Sequence, residues 1–244
     1  MDKRYAAILA FLVTALIIFN VYSFSLFKER DSIIIARVID GDTVQTNKGE
    51  IIRLLNINSP EKGTKGYNLS KEYLASFIND SLYIKKKGAD KYGRTLGKIY
   101  SPDYLNLKIV ELGFASKFLV ADEELKYFSE AERKAIEKSL GIWNKSIHYG
   151  CFSSYINKKD EYIILKNKCL NLDISGWTMK DESRKIYKFN EIEVGEITIH
   201  SGKGTNNLSD LFFGSSTNIW NDDRDTLYLF DENGGIVHFN SYGY

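Results

Sequence analysis

Proline is scarce in this chain, two residues in 244, and no internal repeat or low-complexity segment is present. A proline-rich linker and a solenoid are thereby excluded. Histidine is scarce too. His148, His200 and His238 are scattered without ligand spacing, which argues against a zinc site. Neither sign of charge prevails: 33 Lys+Arg against 32 Asp+Glu leave a net charge of +1. No overall excess advertises a nucleic-acid binder or an acidic tail. The two cysteines, Cys151 and Cys169, either pair, as an exported chain would allow, or stay as buried thiols.

What is present is the composition of a folded protein, 43% hydrophobic and 14% aromatic. The length suits one large domain or two small ones. Charge is unevenly spread: residues 31–149 hold 19 basic against 16 acidic residues, or +3, and residues 150–244 hold 10 against 14, or −4. That asymmetry hints at two units.

The amino terminus carries the longest apolar run. "MDKR" precedes residues 5–27, interrupted only by Thr14, Asn20, Ser23 and Ser25. About 20 apolar residues are enough to span a bilayer, and no convincing small-x-small cleavage site follows. Residues 1–30 are therefore read as an uncleaved signal anchor, with a cleaved signal peptide or a buried helix as alternatives. The expectation is a single-pass membrane protein with both folded domains extracytoplasmic. The basic residues flanking the span are nearly balanced, Lys3 and Arg4 against Lys28 and Arg30, so the positive-inside rule decides little.

Downstream, residues 33–39 read as a buried strand, and 42–46 resume it after an Asp-Gly break. The turn "TNKGE" leads into "IIRLLN", giving a three-strand meander. "SKEYLASFIND" sets Tyr73, Leu74, Phe77 and Ile78 on one helical face. "SLYIKKK" and "RTLGKIY" are two more strands, the lysines of the first read as a solvated strand end. "YLNLKIVELG" is a helix closed by Gly113. "FSEAERKAIEKSLG" is another, opened by a capping box Ser129…Glu132 and closed by Gly141. Five strands in that order suit a small closed barrel of OB type, flanked by helices, over residues 31–148. From 149 to 244 the short runs "EYIIL", "GWTM", "IYKF", "EITIH", "TLYLF" and "GIVHF" read as an antiparallel β-sandwich. Trp177 and Trp220 are expected in its core, and Asp222, Asp223 and Asp225 in a surface turn. The fold class is thus mainly β with α.

The barrel unit gathers charges at strand ends: Asp40 and Asp42, Arg53, Glu61 and Arg94. Carboxylates that hold a hard cation and guanidinium groups that clamp phosphate are what phosphodiester cleavage requires. A further carboxylate can position or deprotonate water. Asp40 is read as a turn former or an outer partner of the site.

"VIDGDTV", "RLLNINSPE", "DKYGRTLG", "LNLKIVELGFA" and "GIW" resemble the thermonuclease family, the staphylococcal-nuclease-like domain, over about residues 31–145. The resemblance implies an OB-fold nuclease, usually calcium-dependent, that cuts DNA and RNA to 3′-phosphate and 5′-hydroxyl ends. It implies Asp42, Asn58 and the carbonyl of Ser59 as Ca²⁺ ligands, with Arg53 and Arg94 clamping the scissile phosphate. Glu61 would orient or deprotonate the attacking water, and Lys91 and Tyr92 would lie beside the nucleotide. Asn58 stands where the best-known members carry a second metal-binding aspartate, and Leu119 and Ala121 lie where a base-stacking aromatic pair is expected. Residues 155–244, through "SGWTMKD" and "IWNDDRDTLYLFDENG", resemble a lamin-tail domain, an immunoglobulin-like sandwich that binds or tethers a partner not identified by the sequence. The expected protein is a monomeric, membrane-tethered nuclease acting on DNA or RNA. The rival is a catalytically weak tether using the same barrel and sandwich.

Overall fold

A computed structural model describes residues 11–20, 31–169, 172–183, 185–190 and 195–244. Residues 11–20 are helical (α1) and exposed. Among the described residues no helix is long and apolar enough to cross a membrane. The single-pass membrane localisation expected from residues 5–27 is therefore not supported. Residues 5–10 and 21–27 of that run lie outside the described residues.

The alternating apolar residues of the first unit build a closed barrel from β1 (Asp31–Asp40), β2 (Thr43–Thr46), β3 (Ile51–Leu54), β5 (Ser81–Ala89) and β6 (Thr95–Ser101). The strands follow the order β3-β2-β1-β5-β6, with the two-residue β7 (Asp103–Tyr104) added beside β6, and a parallel β3–β6 pairing closes the ring. Closure removes the sheet's open edges. In β1 the alternation is interrupted: Ile33 and Ile35 point inward, but the next inward residue is Val38. A register shift between Ile35 and Arg37 explains it, because a bulge inserts one residue and reverses the facing. Asp40 pairs with Thr43, so β1 folds back through the two-residue turn Gly41–Asp42. Inside the barrel Gly97 allows close packing, since a Cβ there would lie 2.6 Å from Ile84 Cδ1 and 3.0 Å from Ile52 Cγ2.

Three helices flank the barrel: α2 (Tyr67–Ala75), α3 (Leu105–Glu111) and α4 (Leu125–Glu137). Asn106 on α3 is wholly buried. It accepts from Ile99 N (3.0 Å) and donates to Leu55 O (2.8 Å) and Gly97 O (3.0 Å), satisfying backbone groups where the strands part. Helix α4 begins four residues before the expected cap. Ser129 is therefore an interior residue whose hydroxyl donates to Leu125 O at 2.7 Å, a back-bond rather than a cap. Glu132 faces inward to Lys117, its Oε2 lying 2.7 Å from Nζ. A buried ammonium, not an N-terminus, is what that carboxylate serves.

Beyond residue 149 the chain forms two four-stranded sheets. One runs β14 (Asp210–Phe212), β13 (Glu196–His200), β10 (Tyr162–Asn167), β9 (Phe152–Asn157). The other runs β12 (Ile186–Lys188), β11 (Thr178–Lys180), β15 (Asp225–Phe230), β16 (Ile236–Tyr242). Strands β9 and β14 fall outside the runs singled out in the sequence. Ile163, Leu165, Ile197 and Ile199 from one sheet share a core with Met179, Leu227, Leu229 and Val237 from the other. Trp177 and Trp220 lie in that core. A disulfide joins Cys151 to Cys169, with Cα atoms 5.3 Å apart. Asp225 is fully buried, not in a surface turn. Its carboxylate accepts N–H groups from Thr226 (2.8 Å) and Asn221 (3.2 Å), which replace the water it loses on burial.

The two halves meet across an apolar joint. Ala135, Ile136, Ile142 and Trp143 pack with Tyr228 and Ile236, and Trp143 stacks on Tyr228 at 5.3 Å. Burying each such large side chain is worth roughly 1.5–3 kcal/mol. Two short strands, β4 (Ile57–Asn58) and β8 (Ser116–Lys117), pair at the edge of this joint. They carry Asn58 to one side and Lys117 to the other.

Candidate active site

The Gly41–Asp42 turn places Asp42 with only 1% of its surface exposed. The turn needs glycine at 41, because a Cβ there would meet Ser70 Oγ at 2.0 Å. Asp42 Oδ2 accepts from Ser59 N (2.9 Å) and Ser59 Oγ (3.0 Å), while Oδ1 accepts from Thr43 Oγ1 at 3.0 Å. Arg53, paired across the ladder with Thr43, brings its guanidinium 3.1 Å from Asp42 Oδ2. The same guanidinium donates to Leu54 O (2.6 Å) and Ile57 O (2.9 Å). Arg53 is thus fixed by three acceptors, as a buried charge must be. Its neighbour Ile52 pairs with Thr95, so the barrel closure brings the start of β6, and Arg94 before it, alongside β3.

Asp40 Oδ1 accepts the Asp42 backbone N–H at 3.1 Å. Burial, and then the Asp42 carboxylate beside it, push the Asp40 carboxyl above its usual range. Two carboxylates close together repel, and a cation between them relieves this.

Lys91, Tyr92 and Arg94 occupy the β5–β6 turn, gathered on a residue not anticipated from the sequence. Asp90 accepts Arg94 Nε at 2.7 Å, Arg94 N at 3.0 Å and Tyr92 N at 2.9 Å. Desolvation is the largest single influence and raises the Asp90 carboxyl, but the hydrogen bonds from Arg94 and Tyr92, with the Arg94 charge, together hold it below its ordinary range. The signal was the i,i+4 spacing in "DKYGR". Arg94 lies 5.5 Å from the Tyr92 ring centre and Lys91 lies 5.1 Å from it. Glu61 is exposed, three residues beyond Asn58, in a turn where its carbonyl accepts Thr64 N (2.9 Å) and Thr64 Oγ1 (2.6 Å).

Asn58 is buried, and its Nδ2 donates to Glu182 O at 3.1 Å. No sequence pattern links residues 124 positions apart, so the carboxy-terminal half's part in this site was invisible before folding. An aspartate at 58 would set oxygen against oxygen there. The Leu119–Ala121 segment is likewise tied to that half. Leu119 is 64% exposed in left-handed backbone (φ 46°), and Val120 O accepts from Arg224 NH1 at 2.9 Å.

No group of three or more His, Cys, Asp or Glu able to hold a metal occurs among the described residues. The groups at and beside the turn carry oxygens: the carboxylates of Asp40 and Asp42, Ser59, which donates to Asp42, and the adjoining Asn58. An oxygen set with neither thiolate nor imidazole fits a hard cation such as calcium.

Residues 51–145 match the family model described as staphylococcal nuclease homologue. The chain is 30% identical over 138 residues to an uncharacterized endonuclease of Haemophilus influenzae, covering 54% of this chain and 76% of that protein. The chain belongs to the staphylococcal nuclease family. It is also 30% identical over 131 residues to the thermonuclease of Staphylococcus intermedius, covering 47% of this chain and 77% of that enzyme. A third relative, an uncharacterized endonuclease of Escherichia coli O157:H7, is 36% identical over 119 residues, or 45% and 75% of the two chains. The protein is a nuclease, a hydrolase of thermonuclease type. The family match contains Arg53, Asn58, Ser59, Glu61, Lys91, Tyr92 and Arg94, and ends before the two carboxy-terminal sheets. The family match therefore covers β3, β5 and β6 of the barrel, while β1, β2 and Asp42 precede it and residues 146–244 follow it.

Proposed function

We propose that this nuclease hydrolyses DNA or RNA in a calcium-dependent reaction, leaving 3′-phosphate and 5′-hydroxyl ends. The observation that carries this reading is the buried Asp42–Arg53 pair, 3.1 Å apart, which sets a phosphate-binding guanidinium beside the oxygen donors. Asp42, Asn58 and the Ser59 carbonyl would hold the ion. Calcium bound there supplies the positive charge that polarises a phosphoryl oxygen. Arg53, immobilised by Leu54 O and Ile57 O, binds a phosphate oxygen without reorganising. Arg94, oriented by Asp90, stabilises the charge that grows on the phosphoryl group and on the leaving oxygen. Glu61, exposed at the mouth of the site, orients the attacking water or takes its proton. Lys91 and Tyr92 meet the neighbouring phosphate and sugar. We read the two carboxy-terminal sheets as a lamin-tail-like β-sandwich with an accessory binding role, and the chain as a monomer.

The test incubates the full chain with single- and double-stranded DNA and RNA, in calcium or chelator, beside Arg94→Ala and Glu61→Ala. Cutting that needs calcium, leaves 5′-hydroxyl ends and falls at least 10²-fold in both variants is expected. Equal cutting in chelator would remove calcium from the reading. Binding without cutting at millimolar calcium would leave a tether.

A further inference from the structure

Ser70 is wholly buried, and its hydroxyl has no hydrogen-bond partner among the described residues. It stands on α2, four residues before Leu74, which lies in the barrel core. A buried hydroxyl on a helix commonly donates to the carbonyl four residues back, as Ser129 does to Leu125 O at 2.7 Å. Ser70 does not. Its Oγ is turned toward the Gly41–Asp42 turn, 2.0 Å from the point where a Cβ on Gly41 would stand. Ser59 Cβ lies 2.8 Å from the same point, so the two serines converge on the open face of one glycine.

Asp42 has the opposite difficulty. Its Oδ2 accepts from Ser59 N (2.9 Å) and Ser59 Oγ (3.0 Å) and faces the Arg53 guanidinium at 3.1 Å. A carboxylate offers about four lone-pair positions, roughly two on each oxygen, so Oδ2 is fully engaged. An ion that draws on this oxygen must displace a donor, and a buried donor left unpaired is costly.

We propose that Ser70 is a positioning residue of the nuclease site, receiving the Ser59 hydroxyl when Asp42 takes up calcium. The inference rests on the calcium reading above and adds a residue to which that reading gives no role. Among the donors on Oδ2, the Ser59 hydroxyl is the one able to move. Arg53 carries a buried charge that Asp42 balances, and the Ser59 N–H is fixed by the backbone. The hydroxyl turns about a single bond, and Ser70 Oγ is the unpartnered acceptor beside it. Gly41 keeps the space between the two serines open. One rotation thus opens a lone pair on Asp42 and satisfies the Ser70 oxygen. Ser70 is a burden to the fold without the ion and a support with it, so removing its hydroxyl acts with opposite sign in the two states.

The test uses the full chain with Ser70→Ala, Ser59→Ala, the double variant and Asp42→Ala, and calcium alone as the probe. Melting curves are recorded in chelator and across a calcium series, where binding raises Tm, and affinity is measured by titration calorimetry. In chelator Ser70→Ala should melt about 2–4 °C above the parent, because an unpaired buried oxygen is removed. Its calcium affinity should nevertheless fall about tenfold, the effect of one lost hydrogen bond. Ser59→Ala leaves no hydroxyl to relocate, so adding Ser70→Ala to it should alter affinity less than about twofold. A merely structural serine would show no such dependence on residue 59. Unchanged calcium affinity in Ser70→Ala, the same tenfold loss in the Ser59→Ala background, or a chelator Tm below the parent's would overturn the role of Ser70 and leave calcium binding in place. A parent chain as unresponsive to millimolar calcium as Asp42→Ala would overturn the calcium reading itself, and the role of Ser70 with it.

Discussion

Replacing Lys117 by methionine keeps most of the side chain's apolar stem and removes its charge and its donors. The lysine is 1% exposed, and its Nζ lies 2.7 Å from Glu132 Oε2, 3.0 Å from Glu182 Oε1 and 2.6 Å from Thr226 Oγ1. Lys117 and Glu132 belong to the barrel half, and Glu182 and Thr226 to the other, so this ammonium links the two. Without it two carboxylates remain buried with no cation in contact among the described residues. Each keeps some donors: Glu132 the Lys117 N–H (2.9 Å) and the Tyr228 hydroxyl (2.9 Å), Glu182 the hydroxyls of Thr226 and Tyr244. Breaking a buried ion pair costs about 3–5 kcal/mol, and the retained hydrogen bonds place this case near 4 kcal/mol at pH 8. Burial already raises the Glu182 carboxyl although Lys117 works to lower it. Loss of the lysine raises it further. A group with a raised folded pKa contributes stability that is present at low pH and lost as pH rises through that pKa, so the deficit must shrink on acidification. Urea unfolding followed by the fluorescence of Trp143 in the joint, at pH 8 and pH 5, measures both values. A deficit below about 1 kcal/mol at pH 8, or one as large at pH 5, would refute the reasoning. Adding Glu182→Gln to Lys117→Met should recover about half the loss.

Three further outcomes follow from the same geometry. Asn58→Asp replaces the donor to Glu182 O, 3.1 Å away, by an oxygen; it should destabilise by about 2–3 kcal/mol in chelator, and calcium should restore part of that, both read from melting curves. An unchanged melting temperature in chelator would remove the Asn58–Glu182 link. His238, hydrogen-bonded to Ser154 Oγ at 2.9 Å, has its pKa lowered by burial and then Lys168 to about 4. The unfolded chain binds that proton near pH 6.5, so stability should fall by up to about 3 kcal/mol as pH drops from 6.5 to 4. Denaturant titrations of His238→Gln should lose that slope. Gly97→Ala sets a methyl 2.6 Å from Ile84 Cδ1; overpacking should cost about 1–2 kcal/mol, and adding Ile84→Val should return most of it, as chemical unfolding can show.

Much of the barrel was legible because its signals are local. Apolar residues run through β1 and alternate at the start of β5, turns are marked by Gly41 and "DKYGR", and both helix stops at Gly113 and Gly141 fall in left-handed backbone (φ 70° and 57°), where glycine is unstrained. Asp42, Arg53 and Ser59 lie within 17 positions of one another and one hairpin brings them together. The capping box was misread for an equally physical reason. Ser129 and Glu132 have the right spacing, but the partner that turns Glu132 inward is Lys117, which no local pattern reveals.

The family motifs and the strand order were therefore determined by the sequence alone, since short-range periodicity and turn chemistry set them before any distant contact forms. What only the tertiary structure decided is the meeting of the two halves: the Lys117 cluster, whose bond to Thr226 spans 109 positions, and the Asn58 bond to Glu182 across 124 positions. Side chains so far apart share no period and no common turn. Their partners are chosen by which buried charges and donors are left to satisfy once the cores have packed.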